Sequence, residues 1–258
     1  MNDKEISDAR EYEVVRHNDM IQKSRHRLTL QEQKILQYVI SLIKPTDTAL
    51  HTYTIKISDF CQICGIDSGN GKNYRNIKDS FNNLTATFWV KVDERTETTM
   101  RWVDKVTIHK YSGMLEIKLH EDTMPFLLQL KKNYTQYHLK YVLAMQSKYS
   151  VRLYEILRSY MFTKEPVKFE LENLKRMIDA ENYNLYGHFS DRILEPAKAE
   201  INALTDIKLE YEPIKTGRKV TAIRFHVTQK TDTGERLDTW TEIKKKLEAK
   251  KVRKKAAT

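Results

Sequence analysis

Residues 190–227 read SDRILEPAKAEINALTDIKLEYEPIKTGRKVTAIRFHV. The first part has apolar residues at helical spacing, and the second part alternates around a glycine turn, which predicts a helix followed by a two-stranded hairpin. In a winged helix the second helix of a helix-turn-helix enters the major groove, and such a hairpin, the wing, contacts DNA. The inward face of the predicted helix comprises Ile193, Leu194, Ala197, Ile201 and Leu204.

The segments before this stretch complete the same unit. SKYSVRLYEILRSYM (147–161) predicts an amphipathic helix, VKFEL a short strand and ENLKRMIDA a short helix. The first half of the chain has the same order in LTLQEQKILQYVISLI, TYTIKI, SDFCQICGI and NYRNIKDSFNNL, followed by strand-like ATFWVKV and VTIHKYSGMLEIKL. Thr29 and Glu32 form a capping box at the first of these helices. The sequence therefore predicts an α+β fold of tandem winged-helix domains.

Four segments follow from this repeat. Residues 1–11 form a polar head, residues 12–125 the first winged-helix domain, residues 126–230 the second, and residues 231–258 a basic tail. HEDTMPFLLQL (120–130) predicts a short bridging helix near the boundary.

The two cysteines of the chain form a Cys-x-x-Cys in SDFCQICG. Alignment of ISDFCQICGI with LENLKRMIDA places Cys64 on Ile178 and Cys61 on Lys175, so we expect Cys64 to be buried and Cys61 to lie near the surface. A zinc site normally needs four ligands, and no second cysteine pair exists. We therefore expect a structural role, with no metal and no cofactor.

The composition is that of a basic protein, with a formal net charge of +10. A basic chain attracts polyanions, and nucleic acid is the commonest of these in the cytoplasm. The start is polar, no apolar run is long enough to span a bilayer, and cysteine is scarce. These features predict a protein of a reducing cytoplasm without a membrane partner.

The second half carries the stronger candidate DNA contacts. Ser190 is a plausible N-cap of the predicted second helix, and Pro196 should kink or split that helix. The cations of the wing lie where a wing meets phosphate. The candidate residues are Tyr186, His188, Ser190, Arg192, Lys198, Asn202, Lys215, Thr216, Arg218 and Lys219.

The first half is a weaker candidate for reading bases. Its second helix offers Lys72, Arg75 and Lys78, beside Asp79. Its wing, read as VDERTETTM (92–100), is acidic and poorly suited to phosphate. The tail from Glu235 has nine basic and four acidic residues, and either adds nonspecific affinity or only increases solubility.

The sequence lacks the motifs of the enzymes considered. No Walker loop, Gly-x-Ser-x-Gly or His-hydrophobe-His pair occurs. We therefore expect no catalytic residues.

Three segments resemble the theta-type plasmid replication initiator (Rep) proteins, the iteron-binding family with two winged-helix domains. They are NDMIQKSRHRLTLQEQKILQYVI (18–40), SKYSVRLYEILRSY (147–160) with the following Leu-x-x-Leu-Lys helix, and FSDRILEPAKAEINALTDIKLEYEPIKTGRKVTAIRF (189–225). The resemblance extends from about Tyr12 to Thr228, and the motifs of the second half are the more specific.

The resemblance implies a function beyond what the residues themselves indicate. Such initiators bind direct repeats, the iterons, as monomers at a plasmid origin, help melt it and recruit the host helicase, often beside the host initiator. Many repress their own promoter as dimers. In the family the second domain is the main sequence reader, while the first makes backbone contacts and forms the dimer interface. The acidic first wing is consistent with that second role.

Two alternatives remain at this point. One is a tandem winged-helix transcriptional repressor without initiator activity. The other is an interaction module, or a nucleic-acid enzyme whose site the motifs do not reveal.

Overall fold

A computed structural model describes residues 3–64, 66, 71–109, 111–163 and 165–231. The chain divides into two compact units, residues 1–143 and 144–258. The predicted tail from 232 onward lies outside the described residues. None of the helices in the described ranges has the length and apolar character needed to cross a membrane.

The first unit contains seven α-helices and eight strands among its described residues. The helices are α1 (Asp3–Arg10), α2 (Asn18–Lys23), α3 (Leu30–Ser41), α4 (Ile57–Ile63), α5 (Gly71–Asn83), α6 (Met124–Leu127) and α7 (Leu139–Ala144). The strands are β1 (Glu13–His17), β2 (Ser24–Arg25), β3 (Thr52–Lys56), β4 (Thr87–Lys91), β5 (Glu97–Arg101), β6 (Val103–His109), β7 (Met114–Leu119) and β8 (Tyr134–His138).

The second unit begins with α8 (Lys148–Ser159), β9 (Val167–Glu170) and α9 (Leu171–Met177). A composite helix (residues 186–204) follows, and its parts are α10 (Tyr186–Phe189), a π-helical turn (Ser190–Leu194) and α11 (Glu195–Leu204). The unit ends with the hairpin β10 (Ile207–Thr216) and β11 (Lys219–Gln229).

The two units share one sheet topology, which confirms the predicted tandem winged-helix fold. In the first unit β3 pairs with β7, the second strand of the β6–β7 hairpin. In the second unit β9 likewise pairs with β11, the second strand of the β10–β11 hairpin. All of these pairings are antiparallel. The short strand thus joins the same edge of the hairpin in both units.

The predicted first wing was wrong. The segment 92–96 connects β4 to β5, and these strands form a separate sheet with β2. The hairpin that corresponds to the second wing is β6–β7, whose tip lies at residues 111–113. Both segments read as turns between strands, and the pairing with β3 identifies β6–β7 as the wing hairpin.

Pairing distant in sequence also extends the first unit beyond residue 125. Strand β1 pairs with β8, so that Val14 lies opposite Tyr137. The buried Arg16 donates from Nη2 to the Tyr137 hydroxyl at 2.9 Å, and this hydroxyl donates to Gln37 Oε1 at 2.9 Å. The segment 126–143 therefore packs with the first unit, although the sequence assigned it to the second.

The α3 capping box is confirmed. Glu32 N donates to Thr29 Oγ1 at 3.3 Å, while Thr29 N donates to Glu32 Oε2 at 2.8 Å. The apolar face of α3 reaches the core through Tyr38, whose ring centroid lies 5.3 Å from that of Phe60. Phe60 in turn lies 5.8 Å from Phe81 on α5. These contacts fix α4 and α5 as the two helices of a helix-turn-helix.

Candidate nucleic-acid interface

The composite helix changes its hydrogen-bond spacing just before Pro196. Glu195 N donates to Ser190 O, five residues earlier, which is the spacing of a π-helix. Proline has no amide hydrogen and clashes with the carbonyl four residues before it, so a regular α-helix cannot continue through this point. The predicted break at Pro196 is therefore a widened turn on its N-terminal side.

Ser190 does not cap a helix. Helical structure begins at Tyr186, and Ser190 has φ −59° and ψ −56°, inside the composite helix. Leu185 is the N-cap residue and is 62% exposed. The sequence suggested Ser190 because serine favours N-caps, but the apolar Leu185 takes this position instead.

The start of the composite helix presents polar side chains to solvent. His188 and Arg192 are exposed, and Tyr186 is half-buried. Within the described residues, no hydrogen bond, ion pair or ring contact involves the Arg192 side chain. Phe189, Ile193 and Leu194 face the core. Arg192 is thus a cation held on a packed helix with its guanidinium available.

A hydrogen-bonded contact joins the π-helical turn to β10. The Tyr211 hydroxyl donates to Glu195 Oε1 at 2.6 Å and lies 3.1 Å from Ser190 Oγ. Burial, together with the hydrogen bond to Glu195, raises the pKa of Tyr211 above its usual value. Since Ser190 and Glu195 flank Arg192, this contact fixes the backbone from which Arg192 projects.

Two predicted contacts are engaged within the fold instead. The Lys198 ammonium forms an ion pair with Glu210, which raises its pKa, and lies 5.9 Å from the Tyr211 ring centroid. Asn202 Nδ2 donates to Leu209 O at 3.0 Å, and Leu209 N donates to Asn202 Oδ1 at 2.6 Å. A helical pattern places both residues on the outer face, but β10 covers that face.

The second wing (residues 215–219) is a basic hairpin tip. Gly217 has φ +61°, which glycine adopts without steric cost, and the turn brings Thr216 opposite Lys219. Thr216 Oγ1 lies 3.1 Å from Thr221 Oγ1. Lys215, Arg218 and Lys219 are exposed and form no ion pair with any described residue. The tip therefore presents three cations to a polyanion.

Sequence reasoning missed Arg176 on α9. It is exposed in the last turn of that helix, and its guanidinium has no partner in the described part of the chain. In a helix-turn-helix the first helix crosses the DNA backbone, so its terminal turn is a position for a phosphate contact. The sequence contains a basic pair at this position, Lys175 and Arg176, and only Arg176 is exposed.

In the first unit, α5 presents a smaller basic surface. Lys72 and Arg75 are exposed and Lys78 is half-buried, on a helix that packs through Ile77 and Phe81. These three predicted residues lie together on one helix, and the β6–β7 tip adjoins the same helix.

The cysteine helix has the predicted register but not the predicted exposure. α4 and α9 occupy aligned residues, and they close alike: Ile66 N donates to Cys61 O at 2.7 Å, and Ala180 N donates to Lys175 O at 2.8 Å. Cys64 is buried as expected, but Cys61 is buried too, with 0% exposure. The inference failed because Lys175 is itself only 2% exposed.

Burial of Lys175 is possible because lysine is amphipathic. Its ammonium reaches Glu172 Oε1 at 2.9 Å and lies 5.8 Å from the Phe189 ring centroid. Neither cysteine forms a disulfide. The described residues contain no group of three or more metal-ligating side chains.

The comparisons with known proteins agree with this geometry. The family model described as Initiator Replication protein, WH1, matches residues 13–158, and that described as Initiator Rep protein, WH2, matches residues 170–227. An Escherichia coli "Replication initiation protein" is 25% identical over 214 residues, which cover 79% of this chain. The chain spans 66% of the length of this relative, just under two thirds.

A solved structure has the same fold. The crystal structure of Pi initiator protein in complex with iteron DNA superposes with a TM-score of 0.72 at 18% sequence identity. The match covers 86% of this chain and 99% of that chain.

Proposed function

We propose that this chain, which belongs to the initiator replication protein family of Rep proteins with two winged-helix domains, acts as a plasmid replication initiator. It binds directly repeated sequences, the iterons, in double-stranded origin DNA, and it helps to open the origin. Its place of action is the bacterial cytoplasm, on the plasmid.

The distribution of unpaired cations in the second unit carries this proposal. Ion pairs engage several cations away from the composite helix and wing, as in Lys148–Asp179, Arg158–Asp206 and Lys168–Glu170. The exposed cations without a partner in the described part of the unit are Arg176, Arg192, Lys208, Lys215, Arg218 and Lys219. Most of them lie on the elements that a winged helix presents to DNA.

The structure changes which residues we assign to DNA. Tyr186, His188 and Arg192 are the base-reading candidates, because they lie at the start of the composite helix. Lys215, Thr216, Arg218 and Lys219, with Arg176, are the phosphate contacts. Ser190, Lys198 and Asn202 become positioning residues, since each contacts β10. Lys72, Arg75 and Lys78 supply weaker backbone contacts from the first unit.

Family membership supports the finer parts of the proposal. The chain recruits the host helicase, beside the host initiator, to the opened origin. It also forms dimers through its first unit, and the dimer represses its own promoter. These steps need protein interfaces and no catalytic residue of this chain.

Replication in trans tests the proposal. A plasmid that carries only the cognate origin is introduced into cells that supply this protein, and plasmid maintenance is measured. We expect replication that requires both the direct repeats and the protein. Binding to the repeats without replication would identify a repressor. If incubation with the purified protein nicks supercoiled origin DNA or attaches it covalently to the protein, the protein is an enzyme.

A further inference from the structure

The tip of the β6–β7 hairpin holds a tyrosine in an unusual conformation. Tyr111 has φ +69° and is 105% exposed. Ser112 Oγ donates to His109 O at 3.1 Å, and Met114 N donates to Ser112 Oγ at 3.2 Å. Gly113 also has φ +69°. The described tip residues thus include two in the left-handed region, of which only one is glycine.

A tyrosine at this position does not benefit the fold. The left-handed region brings Cβ close to the backbone, so a bulky residue is disfavoured there. The Tyr111 side chain is fully exposed and forms no hydrogen bond or ring contact with any described residue, so no packing offsets this cost. A strained and fully exposed aromatic side chain indicates a role in binding another molecule.

The position of the tip indicates the class of that molecule. Because β7 pairs with β3 as β11 pairs with β9, residues 111–113 correspond to the tip of the second wing. A Cβ at Gly113 would lie 3.8 Å from the Tyr74 hydroxyl, so the tip adjoins the first half of α5. That part of α5 also carries the exposed Lys72 and Arg75.

We propose that Tyr111 is a nucleic-acid contact of the first unit, and that its ring packs against sugar and base surfaces in the minor groove of duplex DNA. This inference rests on the proposed function. The described tip residues Tyr111, Ser112 and Gly113 carry no charge, and the sequence places one lysine, Lys110, before them, against the three cations proposed to contact phosphate in the second wing. Apolar side chains inserted at base steps are a known mode of minor-groove binding, and aromatic rings also stack on bases.

Three substitutions of Tyr111 separate the ring from the turn. Tyr111→Gly and Tyr111→Asn remove the ring but suit the left-handed conformation, so both variants keep the turn. Tyr111→Phe keeps the ring and removes the hydroxyl. Phe162→Ala is the matched control, because Phe162 is 70% exposed but lies outside both hairpins. Thermal unfolding checks that each variant is folded.

Affinity for a duplex repeat, measured over a range of salt concentrations, tests the proposal. We expect Tyr111→Gly and Tyr111→Asn to weaken binding about tenfold with an unchanged salt dependence, since no charge is removed. Tyr111→Phe and Phe162→Ala should bind like the wild type. Single strands of the same sequence should show a smaller effect of the glycine substitution than the duplex.

Several results would overturn the proposal. Wild-type affinity in Tyr111→Gly would show that the ring makes no contact, and a loss in Tyr111→Phe equal to that in Tyr111→Gly would assign the contact to the hydroxyl. A larger effect on single strands would exclude the minor groove. The affinities of the same variants for a duplex of unrelated sequence show whether Tyr111 contacts DNA even if the protein does not bind the repeats, because stacking needs no particular base.

Discussion

The two winged units share a strand order and differ at their hairpin tips. In the first unit the strand order is β3-β7-β6, and the sequence at the hairpin tip contains one lysine, Lys110, followed by Tyr111, Ser112 and Gly113. In the second unit the strand order is β9-β11-β10, and the hairpin tip is the basic segment 215–219. The second helices differ too: α5 is a continuous α-helix, whereas the composite helix contains a π-helical turn. One topology therefore presents two kinds of surface chemistry.

The difference extends to the buried helices. Cys61 and Lys175 occupy aligned positions and are both buried, but the residue three positions earlier is Ser58 in the first unit and Glu172 in the second. In the second unit the Glu172 carboxylate pairs with the charge at this position. Aligned residues in the two units are thus equivalent in place but not exchangeable.

The largest expected effect comes from making the first unit resemble the second. Cys61→Lys would bury an ammonium without the carboxylate that Lys175 has, so we expect a loss of about 3–5 kcal/mol in the free energy of unfolding. Chemical denaturation of the purified variant measures this loss. The matched variant Lys175→Met should cost far less, because the Glu172 side chain is 69% exposed and remains hydrated. Equal stability of Cys61→Lys and the wild type would refute the comparison.

Removal of the second wing's charge should have the next largest effect. The triple variant of Lys215, Arg218 and Lys219 to alanine should lower the affinity for duplex DNA about 100-fold and reduce the slope of log K against log salt by roughly 2–3. The charge-matched control replaces Lys91, Arg95 and Arg101 on the β4–β5 hairpin. An equal change of slope in the control would mean that net charge, rather than the wing, determines binding.

Arg192→Ala tests whether the composite helix reads sequence. We expect a loss of about 1–3 kcal/mol on the cognate repeat and little change on unrelated DNA, as for an arginine that contacts a base. Arg176→Ala should instead weaken binding to all sequences alike. Competition binding with cognate and scrambled duplexes distinguishes these patterns, and a uniform loss for Arg192→Ala would make it a phosphate contact.

Tyr211→Phe should have the smallest effect of the four. The ring stays in place, but the hydrogen bond to Glu195 and the contact with Ser190 are lost. We expect this to weaken the free energy of specific DNA binding by about 1 kcal/mol. Salt dependence should not change, because no charge is altered. Tyr211→Phe and Ser190→Ala should be less than additive if both act through the π-helical turn. Full additivity in the double variant would show that the two residues act separately.

Local patterns predicted much of this architecture. The capping box at Thr29, the aligned helices α4 and α9 and the break near Pro196 each depend on a few neighbouring residues, and each is present. The family resemblance was confirmed as well. Local rules suffice where the physical cause is local.

Errors arose where residues distant in sequence meet. The first wing was assigned to residues 92–100 because a turn motif does not reveal which hairpin will pair with β3. Asn202 appeared exposed because a helical pattern does not show that Leu209 on β10 contacts it. Cys61 was placed near the surface because lysine was read as a polar residue, although its hydrocarbon stem can be buried.

The pairing of β1 with β8 has a consequence for synthesis on the ribosome. Arg16 meets Tyr137 across 121 residues, so the first unit cannot close until nearly all of it has emerged from the exit tunnel. Contacts of such long range slow folding, and an unpaired strand edge exposed meanwhile can pair with another chain. A nascent chain that stalls near residue 125 would carry β1 without its partner. The last strand of the first unit is therefore the one that pairs with β1 and covers its exposed edge.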